Sequence, residues 1–279
     1  MPVKQVFLFL LLLLNACNSL PSRLQNTENL ANTNGFKQKT YSTEYFSIAS
    51  YQRLSSASDV ISVFIEGDGL AWRNKHRISN NPTPENPLAL KLAVNDGADN
   101  IIYLARPCQF VALENEPYCT AEYWTSKRAS SEIIESFSSV LDQIKLDYPV
   151  NKIRLIGYSG GATIAALLAA KRNDILDLRT VAGNLDIETF TSLHQVSPMT
   201  GSLNPVDYSN RLSGIPQKHY YSSDDEVVTV DILQSYAGHL RQHDAKLSCM
   251  DIEEVANTTH QDGWEDQWPS LSADVLRCR

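Results

Sequence analysis

Short apolar runs and helical patterns alternate along the chain from about Gly35 to its end. Runs of β-branched and apolar residues predict strands at residues 60–65, 101–104, 152–156, 179–182, 218–221 and 251–256. Apolar residues at helical spacing predict helices over residues 130–146, 162–171 and 263–277. Residues 36–51 are typical of an antiparallel hairpin at a sheet edge. This alternation predicts an α/β fold with a mostly parallel central sheet, helices on both faces and one domain over residues 35–279.

The composition is that of a globular protein with an excess of acidic residues. The chain has 279 residues, of which 43% are hydrophobic and 20% are charged, and these fractions argue against a disordered or fibrous protein. Its 24 Lys and Arg residues and 32 Asp and Glu residues give a net charge of −8. Because phosphate binding requires clustered positive charge, we expect no nucleic-acid partner. Nothing in the sequence requires a metal ion or an organic cofactor.

The first residues have the pattern of an export signal. Lys4 precedes an apolar stretch over residues 6–14, which is too short to span a bilayer. The segment Leu14-Asn15-Ala16-Cys17 resembles the bacterial lipoprotein signal, and an ordinary signal cleaved elsewhere is the alternative. The resemblance implies that residues 1–16 are removed and that Cys17 carries lipid.

A lipidated Cys17 implies a protein anchored in the bacterial cell envelope, with the membrane as a partner. Asn18, directly after the cysteine, favours the outer membrane where the cell has one. Residues 17–34 are rich in Asn, Ser and Thr, so they predict a flexible tether between anchor and domain.

The other four cysteines suggest two disulfides, because an exported chain meets an oxidising environment. Four cysteines allow three pairings. Proximity in the sequence favours Cys108–Cys119 and Cys249–Cys278. A zinc site is the alternative, and the absence of a C-x-x-C pair argues against it.

The segment Gly157-Tyr158-Ser159-Gly160-Gly161 predicts a nucleophile. It follows a predicted strand and opens a predicted helix, which is the setting of a nucleophile elbow. Glycines two residues before and after the serine remove a collision in this tight turn. The amide of Gly160 would face a developing oxyanion at the helix N-terminus. A glycine-rich turn needed only for packing is the alternative interpretation.

A serine nucleophile requires a base and an acid that orients it. In this topology the acid follows a later strand and the histidine comes near the end of the chain. Asp225 is the preferred acid and Asp224 its competitor. His260 lies in a polar loop after the last predicted strand and is the preferred base. Four other histidines are rivals only if the topology is wrong: His194, His219, His239 and His243.

A second oxyanion donor is expected in the loop after the strand at residues 60–65. The sequence Glu66-Gly67-Asp68-Gly69 has two glycines that let the backbone approach a substrate. The amide of Asp68 is the predicted donor. A carboxylate facing an oxyanion would oppose it, so we expect the Asp68 side chain to point away. A simple Asp-Gly turn is the alternative.

Together these residues resemble the α/β-hydrolase superfamily. The resemblance is closer to a group of exported bacterial α/β-hydrolases of poorly defined activity, through residues 105–110, 123–125, 182–186 and 201–205. It implies the α/β-hydrolase fold and a Ser-Asp-His triad. Asn184 and Asp186 either line a pocket or form a turn. Trp264 and Trp268 either wall an acyl or leaving-group site or simply pack.

The predicted function is that of a serine hydrolase acting on a small-molecule ester. Ser159, Asp225 and His260 would form the triad, and an acyl-enzyme would be the intermediate. A peptidase or amidase is an alternative. Another is an inactive binding or envelope-scaffold lipoprotein on the same fold, because a fold alone does not establish activity. The sequence leaves the substrate and the oligomeric state open.

Overall fold

The protein is represented by a computed structural model that describes residues 19–55 and 58–279. The predicted signal peptide, residues 1–16, and the predicted lipidation site Cys17 lie outside the described residues. Within the described part, no helix is both long and apolar enough to cross a membrane.

Eight strands form the central sheet, in the order β1-β2-β6-β3-β7-β8-β9-β10. The strands are β1 Lys37–Ser42, β2 Ser47–Arg53, β3 Val60–Ile65, β6 Ile101–Leu104, β7 Lys152–Tyr158, β8 Ile175–Val181, β9 Gln217–Tyr221 and β10 Met250–Glu254. Strand β2 is antiparallel to its neighbours, and the strands from β6 to β10 pair in parallel. The predicted edge hairpin is therefore β1 and β2. A separate two-stranded hairpin contains β4 Trp72–Asn74 and β5 Arg77–Ile78.

Helices cover both faces of the sheet, as the alternating pattern predicts. They are α1 Leu20–Thr33, α2 Leu88–Asn95, α3 Ser131–Asp147, α4 Gly160–Lys171, α5 Ile187–Leu193, α6 Ser209–Leu212, α7 Val230–Leu240 and α8 Trp264–Leu271. One hydrophobic cluster joins the sheet to α3, α4 and α7. A second cluster, on the other face, joins it to α1, α2 and α8. The chain thus has the α/β-hydrolase fold that the sequence resemblance implies.

The structure corrects the prediction of a flexible tether over residues 17–34, because residues 20–33 form helix α1. Ser19 caps this helix, and Pro21 lies in its first turn. Ala31 is fully buried against the second cluster. The buried Arg23 donates a hydrogen bond to the Thr83 carbonyl. The polar composition concealed a helix whose stability comes from packing on the domain.

The chain's C-terminal end is also held to the domain. The final helix ends at Leu271 rather than near residue 277. Arg179, which is fully buried, donates to the backbone carbonyls of Ser272 and Asp274 beyond the helix. The structure contains both disulfides that sequence proximity favours, Cys108–Cys119 and Cys249–Cys278, and the second fastens this terminal segment to the start of β10.

Candidate active site

Ser159 lies at the turn between β7 and α4, at the carboxyl edge of the sheet. Its backbone has φ +51° and ψ −120°, and non-glycine residues rarely adopt a positive φ. Its amide donates to the Val181 carbonyl of β8, and its carbonyl accepts from the Ala162 amide. These bonds hold the turn in a strained conformation of the kind found at functional sites.

The glycines around Ser159 are required by close backbone contacts. A Cβ atom on Gly157 would lie 2.5 Å from the Ala162 Cα, inside the turn itself. A Cβ atom on Gly161 would lie 2.3 Å from the Ile65 carbonyl oxygen at the end of β3. Gly157 therefore removes a collision within the turn. Gly161 removes a collision with the neighbouring strand β3, so tertiary packing requires glycine at this position.

A chain of hydrogen bonds joins Ser159, His260 and Asp225. The Ser159 hydroxyl lies 3.0 Å from His260 Nε2, and His260 Nδ1 lies 2.8 Å from Asp225 Oδ2. A carboxylate accepts hydrogen bonds, so Nδ1 is the protonated nitrogen and Nε2 is free to accept from the serine. The structure thus brings together three side chains that lie on separate loops.

The structure places Asp225, and not Asp224, against the histidine. The Asp225 side chain is fully buried, and its Oδ1 atom accepts from the amides of Val227 and Val228, each over 2.8 Å. These two bonds leave Oδ2 directed at His260. Asp224 is exposed, and its amide donates to the Ser222 hydroxyl.

Tyr158 and Trp264 hold the loop that carries His260. The Tyr158 hydroxyl donates to the His260 carbonyl over 3.1 Å, and the two rings lie 5.5 Å apart. The Trp264 indole donates to the Thr259 carbonyl over 2.7 Å. Tyr158 occupies the variable position between Gly157 and Ser159. The motif gives no signal of this role, because the partner is about a hundred residues away.

The loop of residues 66–69 lies beside Ser159. A Cβ atom on Gly67 would lie 3.4 Å from the Ser159 Cβ. The Gly67 amide already donates to its neighbour, the Glu66 carboxyl, over 2.9 Å. This bond leaves the Asp68 amide as the candidate for the predicted second donor. Gly160, the other predicted donor, is at the first position of α4, where the amides of a helix have no partner within it.

The Asp68 carboxylate lies at the site, whereas the sequence predicts that it points away. A Cβ atom on Gly160 would lie 2.2 Å from Asp68 Oδ1, so the carboxylate packs against that glycine. Arg106 donates to Oδ1 over 3.0 Å, and Arg128 donates to Oδ2. These partners hold the pKa of Asp68 below its ordinary value despite its burial. Two guanidinium groups thus compensate a carboxylate that would otherwise oppose an oxyanion.

Glu66 is a second carboxyl group next to the site and has a different environment. It is 1% exposed, and its Oε1 atom accepts a hydrogen bond from the Gly67 amide. Burial raises its pKa to about 7, although the Gly67 amide favours the charged form. Glu66 therefore takes up a proton near neutral pH.

A cavity of about 300 Å³ opens in front of Ser159 and His260. Polar and apolar residues share its wall, which includes Leu70, Ala71, Trp72, Pro84, Arg128, Asn184, Phe190, Val227 and Val228. Trp264 and Trp268 are fully buried and do not line it, so they pack. Asn184 lines the cavity, whereas Asp186 caps α5. Among the described residues, no cluster of His, Cys, Asp or Glu could hold a metal ion.

The other histidines have different surroundings. His219 is buried in β9, where its Nδ1 lies 2.8 Å from the Thr180 hydroxyl, and burial lowers its pKa to about 3. His194 lies 2.7 Å from the Val227 carbonyl. His239 and His243 lie at and beyond the end of α7. None of them lines the cavity in the described part of the chain.

Comparisons with known proteins relate the chain to hydrolases by fold. An esterase from Pyrococcus furiosus is 14% identical, with a TM-score of 0.61 over 88% of this chain and 92% of the esterase. An acylaminoacyl peptidase from Pyrococcus horikoshii is 11% identical, with a TM-score of 0.59 over 84% of this chain and 38% of the peptidase. A serine hydrolase without a lid from Xanthomonas campestris is 11% identical, with a TM-score of 0.51 over 81% of this chain and 85% of that protein.

No protein-family model and no curated protein matches the sequence. The structural likeness establishes the α/β-hydrolase fold of this chain. At this level of identity, activity must be inferred from the site.

Proposed function

We propose that the protein is a serine hydrolase that cleaves carboxylic esters of small molecules. The observation that carries this proposal is the hydrogen-bond chain from Ser159 through His260 to Asp225, at 3.0 Å and 2.8 Å, at the floor of an open cavity. Each distance is within the range needed for proton transfer along the triad. The strained backbone of Ser159 supports the same interpretation, because it presents the hydroxyl to the cavity.

The reaction begins when the Ser159 hydroxyl attacks the ester carbonyl and gives its proton to His260 Nε2. The imidazolium that forms keeps its Nδ1 proton and donates it in a hydrogen bond to Asp225, whose negative charge stabilises the imidazolium. His260 then donates the proton to the leaving alcohol, and an acyl-enzyme remains on Ser159. Water then attacks this acyl group while His260 Nε2 takes one of its protons. His260 returns that proton to the Ser159 oxygen as the bond between Ser159 and the acyl group breaks, and the carboxylic acid leaves.

The negative charge on the tetrahedral oxygen would be stabilised by the amides of Gly160 and Asp68. Such donors stabilise the transition state more than the ground state, since they are directed at the position where charge develops. The N-terminus of α4 contributes further positive potential. The ion pairs of Asp68 with Arg106 and Arg128 prevent its carboxylate from cancelling this effect.

Labelling with a fluorophosphonate probe tests the proposal. The wild-type chain is expected to react at Ser159, and Ser159→Ala is expected not to react. Asp225→Asn should lower ester hydrolysis by about 10⁴, as the loss of the orienting acid does in other triads. Asp224→Asn is the matched control and should leave the rate unchanged.

Absence of labelling in a folded wild-type chain would contradict the proposal and favour a binding or scaffold role. A panel of esters of graded acyl length, together with aminoacyl amides, separates an esterase from a peptidase or amidase. Faster turnover of the amides would indicate a peptidase or amidase instead of an esterase.

We also propose that Cys17 carries the lipid that anchors the protein in the cell envelope. The support is the sequence Leu14-Asn15-Ala16-Cys17 after a short apolar stretch. Mass spectrometry of the N-terminal peptide should find acyl groups on Cys17, and Cys17→Ala should abolish them. An unmodified N-terminus at another residue would instead indicate an ordinary signal peptide.

A further inference from the structure

A small hairpin stands beside the mouth of the cavity. Its strands β4 and β5 pair Trp72 with Ile78, and every residue from 72 to 78 is exposed. The base is anchored, because Ala71 and Ser79 are buried and the Ser79 amide donates to the Ala71 carbonyl over 3.0 Å. The Ser79 carbonyl also accepts from the Trp124 indole. The hairpin is therefore a fixed projection with its tip in water.

Two large apolar side chains of this hairpin face solvent. Trp72 is 42% exposed and Ile78 is 37% exposed. Directly paired residues of antiparallel strands share one face, so the two side chains form a single apolar patch. Trp72 also lines the cavity that contains Ser159. Of the four tryptophans, all within the described residues, Trp72 alone is exposed.

The same seven residues carry a cluster of positive charge. Arg73, Lys75 and Arg77 are exposed, and His76 lies between the last two. None of the four forms an ion pair within residues 19–55 and 58–279. Glu85, which lines the cavity, and Arg73 both interact electrostatically with Arg23. The cluster opposes the net charge of −8 of the chain.

The described chain also begins on this side of the domain. Arg23, one turn from the start of α1, donates to the carbonyl of Thr83. Thr83 adjoins Pro84, which lines the cavity. The first turn of α1 therefore lies close to the wall of the cavity.

We propose that the hairpin of residues 72–78 docks the protein on an anionic phospholipid surface. Tryptophan is favoured at the boundary between headgroups and acyl chains, and Ile78 adds buried apolar area there. Arg73, Lys75 and Arg77 face the negative surface potential of anionic headgroups. In this orientation the cavity opens toward the lipid. The docking itself does not depend on the proposed hydrolase activity.

Quenching of Trp72 fluorescence by brominated lipid tests the proposal on the chain with Cys17→Ala, because the proposed lipid on Cys17 would bind vesicles of either kind. The probes are brominated phosphatidylcholine vesicles with and without phosphatidylglycerol. We expect a blue shift and loss of Trp72 emission with phosphatidylglycerol, and neither change with phosphatidylcholine alone. Trp72→Phe should remove the quenched component, because the other three tryptophans are buried.

A triple variant tests the role of charge. Arg73→Gln, Lys75→Gln and Arg77→Gln together should lower affinity for the anionic vesicles roughly a hundredfold. The matched control neutralises three exposed cations on the side of the domain where the parallel strands begin, opposite the cavity. These substitutions are Lys152→Gln, Arg241→Gln and Lys246→Gln. The control should dock like the wild type. The triple variant and its matched control should retain fluorophosphonate labelling, and Ser159→Ala should still dock.

Equal quenching in both kinds of vesicle, or equal loss in the control variant, would overturn the proposal. Binding of the hairpin to a soluble polyanion such as heparin or DNA, without quenching by anionic vesicles, would also overturn it. Failed labelling with intact docking would contradict the hydrolase proposal alone.

Discussion

Two loops meet at Ser159, and different interactions hold them. The turn of residues 157–161 is determined by backbone contacts that only glycine permits. The facing loop, residues 66–69, depends on charged side chains, because Arg106 and Arg128 neutralise Asp68. The first kind of constraint is visible as a motif, whereas the second requires residues far away in the chain. The comparison suggests that the two sides of the site should respond differently to substitution.

The largest effect is expected from removal of the charge in the loop of residues 66–69. Asp68→Asn leaves two largely buried guanidinium groups without an anion, which should lower the free energy of unfolding by about 3 to 5 kcal/mol. Chemical denaturation measures this change. The matched control is Asp147→Asn, whose exposed ion pair with Lys39 should contribute less than about 1 kcal/mol. Similar losses in the two variants would contradict the importance of the Asp68 cluster.

Substitution of Glu66 tests the same loop through the pH dependence of stability. Unlike Asp68→Asn, Glu66→Gln should raise the free energy of unfolding at high pH. Its pKa in the folded protein is about 7, above the ordinary 4.5. Between pH 4.5 and pH 7 the folded state therefore binds more protons than the unfolded state. Wild-type stability should therefore fall as pH rises through this range, and Glu66→Gln should remove that fall. At pH 8 the variant should be more stable by about 3 kcal/mol, and near pH 4.5 the difference should vanish.

Urea denaturation at several pH values measures this difference. Glu114→Gln, at an exposed position, is the control and should stay within about 0.5 kcal/mol of the wild type. A constant difference between Glu66→Gln and the wild type across the range would show that protonation of Glu66 is not involved.

A smaller effect is expected where the two loops touch. A Cβ atom on Gly161 would come within 2.3 Å of the Ile65 carbonyl and 2.5 Å of the Glu66 carbonyl. Gly161→Ala should therefore lower the free energy of unfolding by about 2 kcal/mol, through forced backbone movement. Gly97→Ala is the control, since no atom lies within 4 Å of its added Cβ. A Gly161→Ala variant as stable as the Gly97→Ala control would contradict the steric explanation.

The smallest change in stability is expected from loss of the hydrogen bond between Tyr158 and the loop that carries His260. Tyr158→Phe removes the hydrogen bond to the His260 carbonyl and should lower stability by about 1 kcal/mol. The turnover rate should fall several-fold, because His260 is less well oriented. Tyr148→Phe removes a hydroxyl that bonds to Gln52, away from the cavity. A change in stability without a change in kcat is expected for that control, and the same pattern in Tyr158→Phe would limit Tyr158 to a structural role.

Much of the sheet could be predicted because its strands are buried and rich in branched apolar residues. Strands β3 and β6 have the predicted boundaries, and helix α4 is buried along its length, as its apolar composition indicates. Predictions were weaker where polar residues dominate. Helix α1 was missed because Arg23 and Thr27 are buried through hydrogen bonds, which periodicity does not reveal.

The order of Ser159, Asp225 and His260 along the chain was sufficient to nominate a triad and to prefer Asp225 as its acid, but not to exclude Asp224. That choice depends on which carboxylate is buried, and burial follows from the fold of the turn after β9. The role of Tyr158 and the environment of Asp68 likewise depend on contacts between distant segments.

The sequence by itself determined the alternation of strands and helices and the glycine-flanked serine, and it favoured one pairing of the cysteines, because these depend on local periodicity, steric limits and short separations along the chain. Tertiary structure alone decided which carboxylate reaches His260, how the charge of Asp68 is compensated and where the hairpin of residues 72–78 projects. The physical reason is that hydrogen bonds, ion pairs and exposure depend on distances in space, and segments far apart in sequence set those distances only when the chain is folded.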